Sequence, residues 1–200
     1  MPHVLISGGS RGIGKATVLL FANNGWHVTC LYNSTVPDPC DGILKIRCDV
    51  SDAGNAASAV REATAHFGPV DCIISNAGIS VKGLAQDLGT DDYRNVMDTN
   101  FGGLFNLANS VIPDMVRRKC GVITAVSSMW GQTGASCEAL YSASKGAVDA
   151  YVKSLAKELG PSGIRVNAVS PGVIDTDMLK DYAPGDIQNI KEERSEERRV

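Results

Sequence analysis

The architecture of this chain is set by Val4-Leu5-Ile6-Ser7-Gly8-Gly9-Ser10-Arg11-Gly12-Ile13-Gly14. The apolar residues at its start predict a buried strand, which runs into a glycine-rich turn and then a helix. Glycines at 8, 12 and 14 would let the backbone approach a pyrophosphate and aim the helix amino terminus at its negative charge. The spacing, Gly-x-x-x-Gly-x-Gly, differs from the commoner dinucleotide-binding spacing. The stretch nevertheless predicts a phosphate-binding strand–turn–helix unit.

The rest of the chain alternates between strand-like and helical patterns. Apolar runs predict strands near 4–7, 27–32, 43–47, 71–75, 121–126 and 165–170. Helical patterns lie near 12–23, 53–67, 91–117 and 141–159. No internal repeat or linker interrupts this alternation. The sequence therefore predicts one α/β domain, a Rossmann-type doubly wound parallel sheet.

Composition argues against several classes of protein. The 200 residues are 44% hydrophobic and carry a formal net charge of −3, so no basic surface for nucleic acid is expected. No apolar run is long enough to cross a membrane, and the first ten residues leave no room for a signal peptide. The six cysteines have neither zinc-ligand nor disulfide-framework spacing, and no metal is expected. We therefore expect a reduced, cytoplasmic protein.

Tyr141 and Lys145 are the strongest candidates for catalysis. Their spacing of four residues stacks a phenol and an ammonium on one helix face. The positive charge is expected to lower the pKa of Tyr141 and make it a usable proton donor near neutral pH. The alternative is a surface helix with an ordinary lysine. Ser128 follows the apolar run 121–126, at a strand's carboxyl end, where open α/β sheets place their sites.

Several motifs occur in the same order as in the short-chain dehydrogenase/reductase family. They are Ser7 to Gly14, Ser75-Asn76-Ala77-Gly78, Asn100, Ser128, Tyr141 with Lys145, and Pro171-Gly172. The resemblance covers residue 1 to about residue 182. Within the family, the chain most resembles the 3-oxoacyl-[acyl-carrier-protein] reductases. The stretch 127–138 is more similar to the branch that reduces a 5-aminopentanone modification on bacterial elongation factor P.

The resemblance implies a catalytic set of Asn100, Ser128, Tyr141 and Lys145. Tyr141 would protonate the oxygen of a ketone that receives hydride from a nicotinamide, and Ser128 would supply a second hydrogen bond. Lys145 would lower the pKa of Tyr141 and hold the nicotinamide ribose. Asn100 would fix a water that links Lys145 to solvent, although an asparagine bonded to its own backbone is the alternative. The glycines beside Asn100 predict a helix kink.

The resemblance also implies a set of cofactor-binding residues. They are Gly8, Ser10, Arg11, Gly12, Ile13, Gly14, Asn33, Ser34, Asp49, Val50, Asn76, Ala77, Gly78, Tyr141, Lys145, Pro171, Gly172, Val173, Ile174 and Thr176. Asp49 and Val50 match the family's adenine contact, and Thr176 matches the residue that bonds the nicotinamide amide.

The sequence favours NADP(H) over NAD(H). The second strand ends in Leu31-Tyr32-Asn33-Ser34, without the carboxylate that would accept a hydrogen bond from a ribose 2′-hydroxyl. Arg11, inside the glycine turn, is able to meet a 2′-phosphate. A plain surface arginine is the alternative for Arg11.

Two departures from the family pattern are expected to alter the scaffold. Residues 33–42 contain two prolines and are too short for a crossover helix. The family also continues into a further helix and a last strand, whereas residues 191–200 form a mixed-charge run. We expect a domain over 1–182, a frayed or truncated tail over 183–200, and an unpaired edge at the strand near 165–170.

The leading hypothesis is an NADPH-dependent reductase of a ketone, such as a 3-oxoacyl thioester. The alternatives are a reductase of 5-aminopentanone-modified elongation factor P, a cofactor-binding pseudo-enzyme, and an oxidative alcohol dehydrogenase. A carboxylate at Glu138 would suit a substrate with an ammonium group, but a solvated Glu138 is the simpler expectation. The partners expected are a small-molecule or carrier-bound ketone and, by resemblance, further copies of the chain in a homodimer or tetramer.

Overall fold

Six strands and six α-helices make up the part of the chain that the computed structural model describes, residues 1–174 and 176. The strands are β1 (His3–Ser7), β2 (His27–Tyr32), β3 (Ile43–Arg47), β4 (Cys72–Ser75), β5 (Gly121–Val126) and β6 (Ile164–Val169). The helices are α1 (Gly12–Asn23), α2 (Ala53–Phe67), α3 (Thr90–Met97), α4 (Gly103–Arg118), α5 (Trp130–Thr133) and α6 (Ala139–Leu159). A π-helical turn, Asp98–Gly102, joins α3 to α4, and a 3₁₀ turn, Gly160–Ser162, follows α6.

All six strands are parallel and lie in one sheet, in the order β3-β2-β1-β4-β5-β6. The strand order reverses between β1 and β4, which pair from Val4 with Cys72 to Ser7 with Ser75. Ligands of such sheets bind outside the carboxyl ends of the strands at this switch point. The predicted Rossmann-type doubly wound architecture is confirmed.

The two faces of the sheet carry very different amounts of packing. On one face, Leu5, Ile73 and Ile123 lie in a large buried cluster with side chains from α2, α4 and α6. On the other face, Val4, Ile6 and Val28 form a smaller cluster, to which α1 contributes Val18. The larger cluster packs α4 and α6 against the sheet. Helix α6 contains Tyr141 and Lys145, and Asn100 lies in the turn just before α4.

The connection between β2 and β3 is a loop without a helix, as the two prolines predicted. Two lysines from neighbouring elements hold this loop. Lys15 Nζ of α1 lies 2.5 Å from the Asp38 carboxylate, and Lys45 Nζ of β3 donates to the Asp38 carbonyl at 2.7 Å. The missing crossover helix therefore leaves a loop tied to both α1 and the sheet.

The strand β6 pairs with β5 along its whole length and forms one end of the described sheet. Val169, at its carboxyl end, is exposed, in keeping with the apolar edge expected from the sequence. The predictions for a tail over 183–200 and for a lost final strand fall on residues outside the described ones. Within residues 1–174 and 176, no helix combines the length and apolarity needed to cross a bilayer.

Candidate active site

A cavity of about 840 Å³ opens at the carboxyl ends of β1, β2, β4 and β5. It brings together residues from one end of the sequence to the other, from the glycine turn after β1 to Thr176. Every predicted cofactor-binding residue lines this cavity except Gly14, and every predicted catalytic residue lines it except Asn100. The fold therefore assembles nearly the whole predicted set around one space, while the roles of its members stay predictions.

Gly14 packs closely against the glycine turn, where it leaves no room for a side chain. A Cβ atom at Gly14 would lie 2.1 Å from the Gly8 carbonyl oxygen and 2.5 Å from Nδ2 of Asn76. That amide nitrogen donates to the same Gly8 carbonyl at 3.0 Å. The Ser7 hydroxyl accepts from the main-chain N–H groups of Asn76 and Ala77 at 3.0 and 3.1 Å. The loops that follow β1 and β4 are thus clamped together, and only glycine fits at the contact.

Near β2, the cavity combines polar side chains with a cation. Arg11, Asn33 and Ser34 line the cavity, and no carboxylate follows β2 directly. Asp49 lines it too, but its Oδ1 accepts hydrogen bonds from the Ser51 N–H at 3.0 Å and the Ser51 hydroxyl at 2.7 Å. The arginine is the exposed charge here that would meet an anion, so the residues present fit a cofactor with an additional phosphate.

Tyr141 lies two residues into α6, with only 8% of its surface exposed. Its ring packs edge-on against Trp130, with the ring centroids 6.1 Å apart. Burial raises the pKa of Tyr141, a hydrogen bond with the Ser128 side chain opposes that rise, and the negative charge of Glu138 adds to it. The prediction that Lys145 leaves Tyr141 with a lowered pKa is therefore wrong for this structure. The spacing of the two residues in the sequence does not report burial, and burial raises the pKa of a phenol.

Lys145 is 4% exposed and lies one turn beyond Tyr141 on α6. Its Nζ donates to the main-chain carbonyl of Val126 at 2.7 Å and lies over the Tyr141 ring, 5.7 Å from the centroid. Burial lowers the pKa of Lys145 to about 8, and the charge of Asp149 acts in the opposite direction. The cation thus faces the aromatic ring and the end of β5, where it is poised to lose its proton in a mildly basic solution.

Asn100 lies in the π-helical turn between α3 and α4, at the place where the neighbouring glycines predicted a helix kink. Its side chain is 3% exposed, and its Oδ1 accepts from the Ile79 N–H at 2.8 Å. Its Nδ2 donates to the Ile79 carbonyl and to the Ser144 hydroxyl, both at 2.9 Å. The alternative of an asparagine bonded to its own backbone is therefore wrong. Asn100 joins the loop after β4 to α6 from behind the cavity wall, and its predicted water-binding role remains a prediction.

Glu138 is the main surprise on the cavity wall. The expectation of a solvated side chain is wrong, because the residue is 3% exposed and accepts a hydrogen bond from the Ser80 hydroxyl. Ser80 and Lys82, from the loop after β4, line the same cavity. Glu138 precedes Tyr141 by three residues, which was the available signal that both share one side of a helix start. The burial itself depends on the position of the loop, which the sequence did not reveal.

Comparison with known proteins agrees with this geometry. Residues 2–186 match the family model described as short chain dehydrogenase. The chain belongs to the short-chain dehydrogenase family. This short-chain dehydrogenase is 37% identical to the uncharacterized oxidoreductase YmfI of Bacillus subtilis, over 94% of its own length and 81% of that protein. It is 33% identical to the 3-oxoacyl-[acyl-carrier-protein] reductase FabG of Chlamydia muridarum, over 94% and 79% of the two chains.

A solved structure described as ElxO with NADP bound superimposes on this short-chain dehydrogenase with a TM-score of 0.83. The two chains are 30% identical, and the match covers 92% of this chain and 79% of that one. The family and the cavity together make the protein an NAD(P)-dependent short-chain oxidoreductase. The finer points, namely the preferred cofactor, the ketone and the proton donor, are proposals.

Proposed function

We propose that this short-chain dehydrogenase uses NADPH to reduce a ketone to a secondary alcohol. The observation that supports this best is the position of Ser128, Tyr141 and Lys145 on the wall of the cavity that the glycine turn also lines. A hydroxyl, a phenol and a cation thereby meet at the carboxyl end of β5. This is a set of donors suited to a carbonyl oxygen that gains negative charge during reduction.

Tyr141 acts as the general acid of the reaction. The residues of the cavity would hold a nicotinamide cofactor, which would supply the hydride for the carbonyl carbon. The phenol of Tyr141 transfers its proton to the carbonyl oxygen, and the Ser128 hydroxyl donates a hydrogen bond to the same oxygen. Because burial raises the pKa of Tyr141, the phenol is neutral and able to donate at physiological pH. Lys145 would hold the nicotinamide ribose and return a proton towards Tyr141 after turnover.

The preference for NADPH follows from charge at the ribose end of the cavity. Arg11 is exposed there, and Asn33 and Ser34 supply polar groups where a carboxylate would select the unphosphorylated ribose. The structural neighbour described with NADP bound supports the same preference. Gly8, Gly12 and the start of α1 would receive the pyrophosphate.

The first substrate class to test is a 3-oxoacyl thioester, because relatives with 33–34% identity are named 3-oxoacyl-[acyl-carrier-protein] reductases. The buried carboxylate of Glu138 favours a second candidate, a ketone that carries an ammonium group, as in 5-aminopentanone-modified elongation factor P. A cation brought into a partly dehydrated cavity needs an opposite charge. Glu138 provides one on the wall that also carries Tyr141.

The deciding experiment is a fluorescence titration of the purified chain with NADPH and with NADH, followed by addition of an acetoacetyl thioester. The proposal predicts tighter binding of NADPH and its oxidation when the thioester is added. Binding without oxidation of NADPH, with both the thioester and an amino-ketone, would favour a cofactor-binding pseudo-enzyme. Equal affinity for both cofactors would overturn the role given to Arg11.

A further inference from the structure

Ser144 is a fully buried serine inside α6, one residue before Lys145. A buried position in the interior of a helix favours alanine, because serine has the lower helix propensity and its hydroxyl loses water on burial. Buried hydroxyls are therefore normally held by hydrogen bonds within the protein. The Ser144 hydroxyl has two such bonds, one with Asn100 and one with Tyr141. Both partners belong to the candidate catalytic set.

The main chain of Ile79 fixes the orientation of the Asn100 amide. Asn100 Oδ1 accepts from the Ile79 N–H at 2.8 Å, and Asn100 Nδ2 donates to the Ile79 carbonyl at 2.9 Å. A flipped amide would bring two N–H groups together at one contact and two oxygens together at the other. The second hydrogen of Nδ2 is therefore directed at the Ser144 hydroxyl, which accepts it at 2.9 Å.

Because the Ser144 oxygen accepts from Asn100, its own proton is free to be donated in another direction. It is donated to the main-chain carbonyl of Tyr141 at 2.7 Å. A directed chain of hydrogen bonds thus runs from Ile79 through Asn100 and Ser144 to Tyr141. Its two central side chains are 3% and 0% exposed, and hydrogen bonds in such a buried place are stronger than at the surface.

The two ends of this chain of bonds lie on different parts of the cavity wall. Ile79 directly follows Gly78, and both line the cavity from the loop after β4, which is predicted to hold the cofactor. Tyr141 lines the same cavity from α6. Reduction of a ketone requires hydride and a proton to reach neighbouring atoms of one carbonyl group, so the relative position of these two segments affects the rate.

We infer that Ser144 is a positioning residue, which holds the first turn of α6, and with it Tyr141, in a fixed place relative to the loop after β4. This inference rests on the proposed role of Tyr141 as the proton donor. Ser144 lies behind the cavity wall and acts through the Asn100 amide and the Tyr141 main chain.

The test removes the Ser144 hydroxyl. Ser144→Ala leaves one buried N–H of Asn100 without its acceptor, so Asn100 should hold Ile79 less firmly. We expect hydrogen exchange of the Ile79 N–H, followed by NMR, to become faster by about threefold or more. We also expect kcat for an acetoacetyl thioester to fall by about tenfold, while the affinity for NADPH stays within about twofold. Expressing kcat per NADPH-binding site removes any effect of a smaller folded fraction.

Ser142 provides the matched control, because it lies two residues earlier in the same helix. Its hydroxyl oxygen is also buried, but it bonds to no group in the part of the chain that the structure describes. Ser142→Ala should therefore leave both the Ile79 exchange rate and kcat unchanged. Ser144→Cys, whose thiol is a weaker donor and acceptor, should give values between those of Ser144→Ala and the unmodified chain. It also replaces Ser144→Ala in the test if that variant does not fold.

The outcomes for Ser144 and for the proposed function can be told apart. Faster exchange at Ile79 together with a lower kcat per site supports the inference. Unchanged exchange in a folded Ser144→Ala refutes the link through Asn100, and faster exchange with unchanged kcat refutes the positioning of Tyr141. If the unmodified chain binds NADPH but reduces no ketone, the proposed function fails, and the exchange comparison alone decides whether Ser144 anchors the loop to α6.

Discussion

Lys145 Nζ donates a 2.7 Å hydrogen bond to the main-chain carbonyl of Val126, which ties α6 to the end of β5. The ammonium is 4% exposed, and burial lowers its pKa to about 8. The protein therefore keeps a cation in a place where cations are disfavoured, directly beside the phenol of Tyr141. A group retained against the stability of the fold is typical of active sites.

Replacement of Lys145 by Met should stabilise the chain and inactivate it. The unfolded chain holds this proton up to about pH 10.5, whereas the folded chain releases it near pH 8, so the charge opposes folding at neutral pH. After the lost bond to Val126 is subtracted, the gain in the free energy of unfolding is about 1–2 kcal/mol. Urea unfolding at neutral pH measures it, with exposed Lys153→Met as the control. A less stable or fully active Lys145→Met would contradict this account.

Loss of the Tyr141 hydroxyl should slow turnover strongly and leave the affinity for the cofactor nearly unchanged. In Tyr141→Phe we expect turnover of an acetoacetyl thioester to fall by about 10²–10⁴-fold, the range for loss of a general acid. The affinity for NADPH should change little, because the hydroxyl acts on the substrate oxygen. Steady-state kinetics and the fluorescence titration test the two halves separately. Retention of wild-type turnover would exclude Tyr141 as the proton donor.

A methyl group at Gly14 should break the phosphate-binding turn. The new Cβ would lie 2.1 Å from the Gly8 carbonyl oxygen, a main-chain atom that is able to move only if the turn moves. We expect Gly14→Ala to lose measurable NADPH binding. Gly160→Ala is the matched control, because a Cβ there meets nothing within 4 Å. Cofactor binding in Gly14→Ala equal to that of the control would show that the tight packing is dispensable.

The buried His3 should make the fold sensitive to acid. Its Nδ1 lies 3.0 Å from the Gly68 carbonyl and its Nε2 lies 2.9 Å from the Thr29 hydroxyl, an arrangement that suits the neutral ring. Burial lowers the pKa of His3 below its ordinary value of 6.5, so the unfolded chain binds the proton more readily. Stability is therefore complete above pH 6.5 and falls as the pH drops through that value.

The variant that tests this acid sensitivity is His3→Gln. Its free energy of unfolding should vary less between pH 7 and pH 5 than that of the unmodified chain. His66→Gln, at an exposed position, serves as the control and should keep the original pH dependence. An unchanged pH dependence in His3→Gln would assign the acid sensitivity to other groups.

Local patterns predicted most of the fold, because each strand and most helices are specified by their own residues. The strands near 27–32 and 43–47 have the predicted bounds, and the loop 33–42 follows from its prolines. The single helix predicted over 91–117 is instead α3, a π-helical turn and α4, and the four-residue α5 was not predicted. Short elements of this kind depend on packing between distant segments.

The chemistry of the site was less predictable than its composition. The spacing of Tyr141 and Lys145 correctly placed them side by side, but it carried no information about desolvation. Tyr141 packs against Trp130, and Glu138, three residues before it, is bonded to Ser80 in a loop from a distant part of the sequence. The direction of a pKa shift is therefore a tertiary property, and it required the structure.

The most direct test of the central claim is a single-turnover reaction with NADPH that carries deuterium at its transferable position. Mass spectrometry of the product of an acetoacetyl thioester then reports whether deuteride reaches the ketone carbon. We predict a deuterated secondary alcohol from the unmodified chain, and almost none from Tyr141→Phe in the time that the unmodified chain needs to complete its turnover. NADPH bound by the unmodified chain without transfer of deuterium to this thioester or to an amino-ketone would contradict the claim that this is a working ketoreductase.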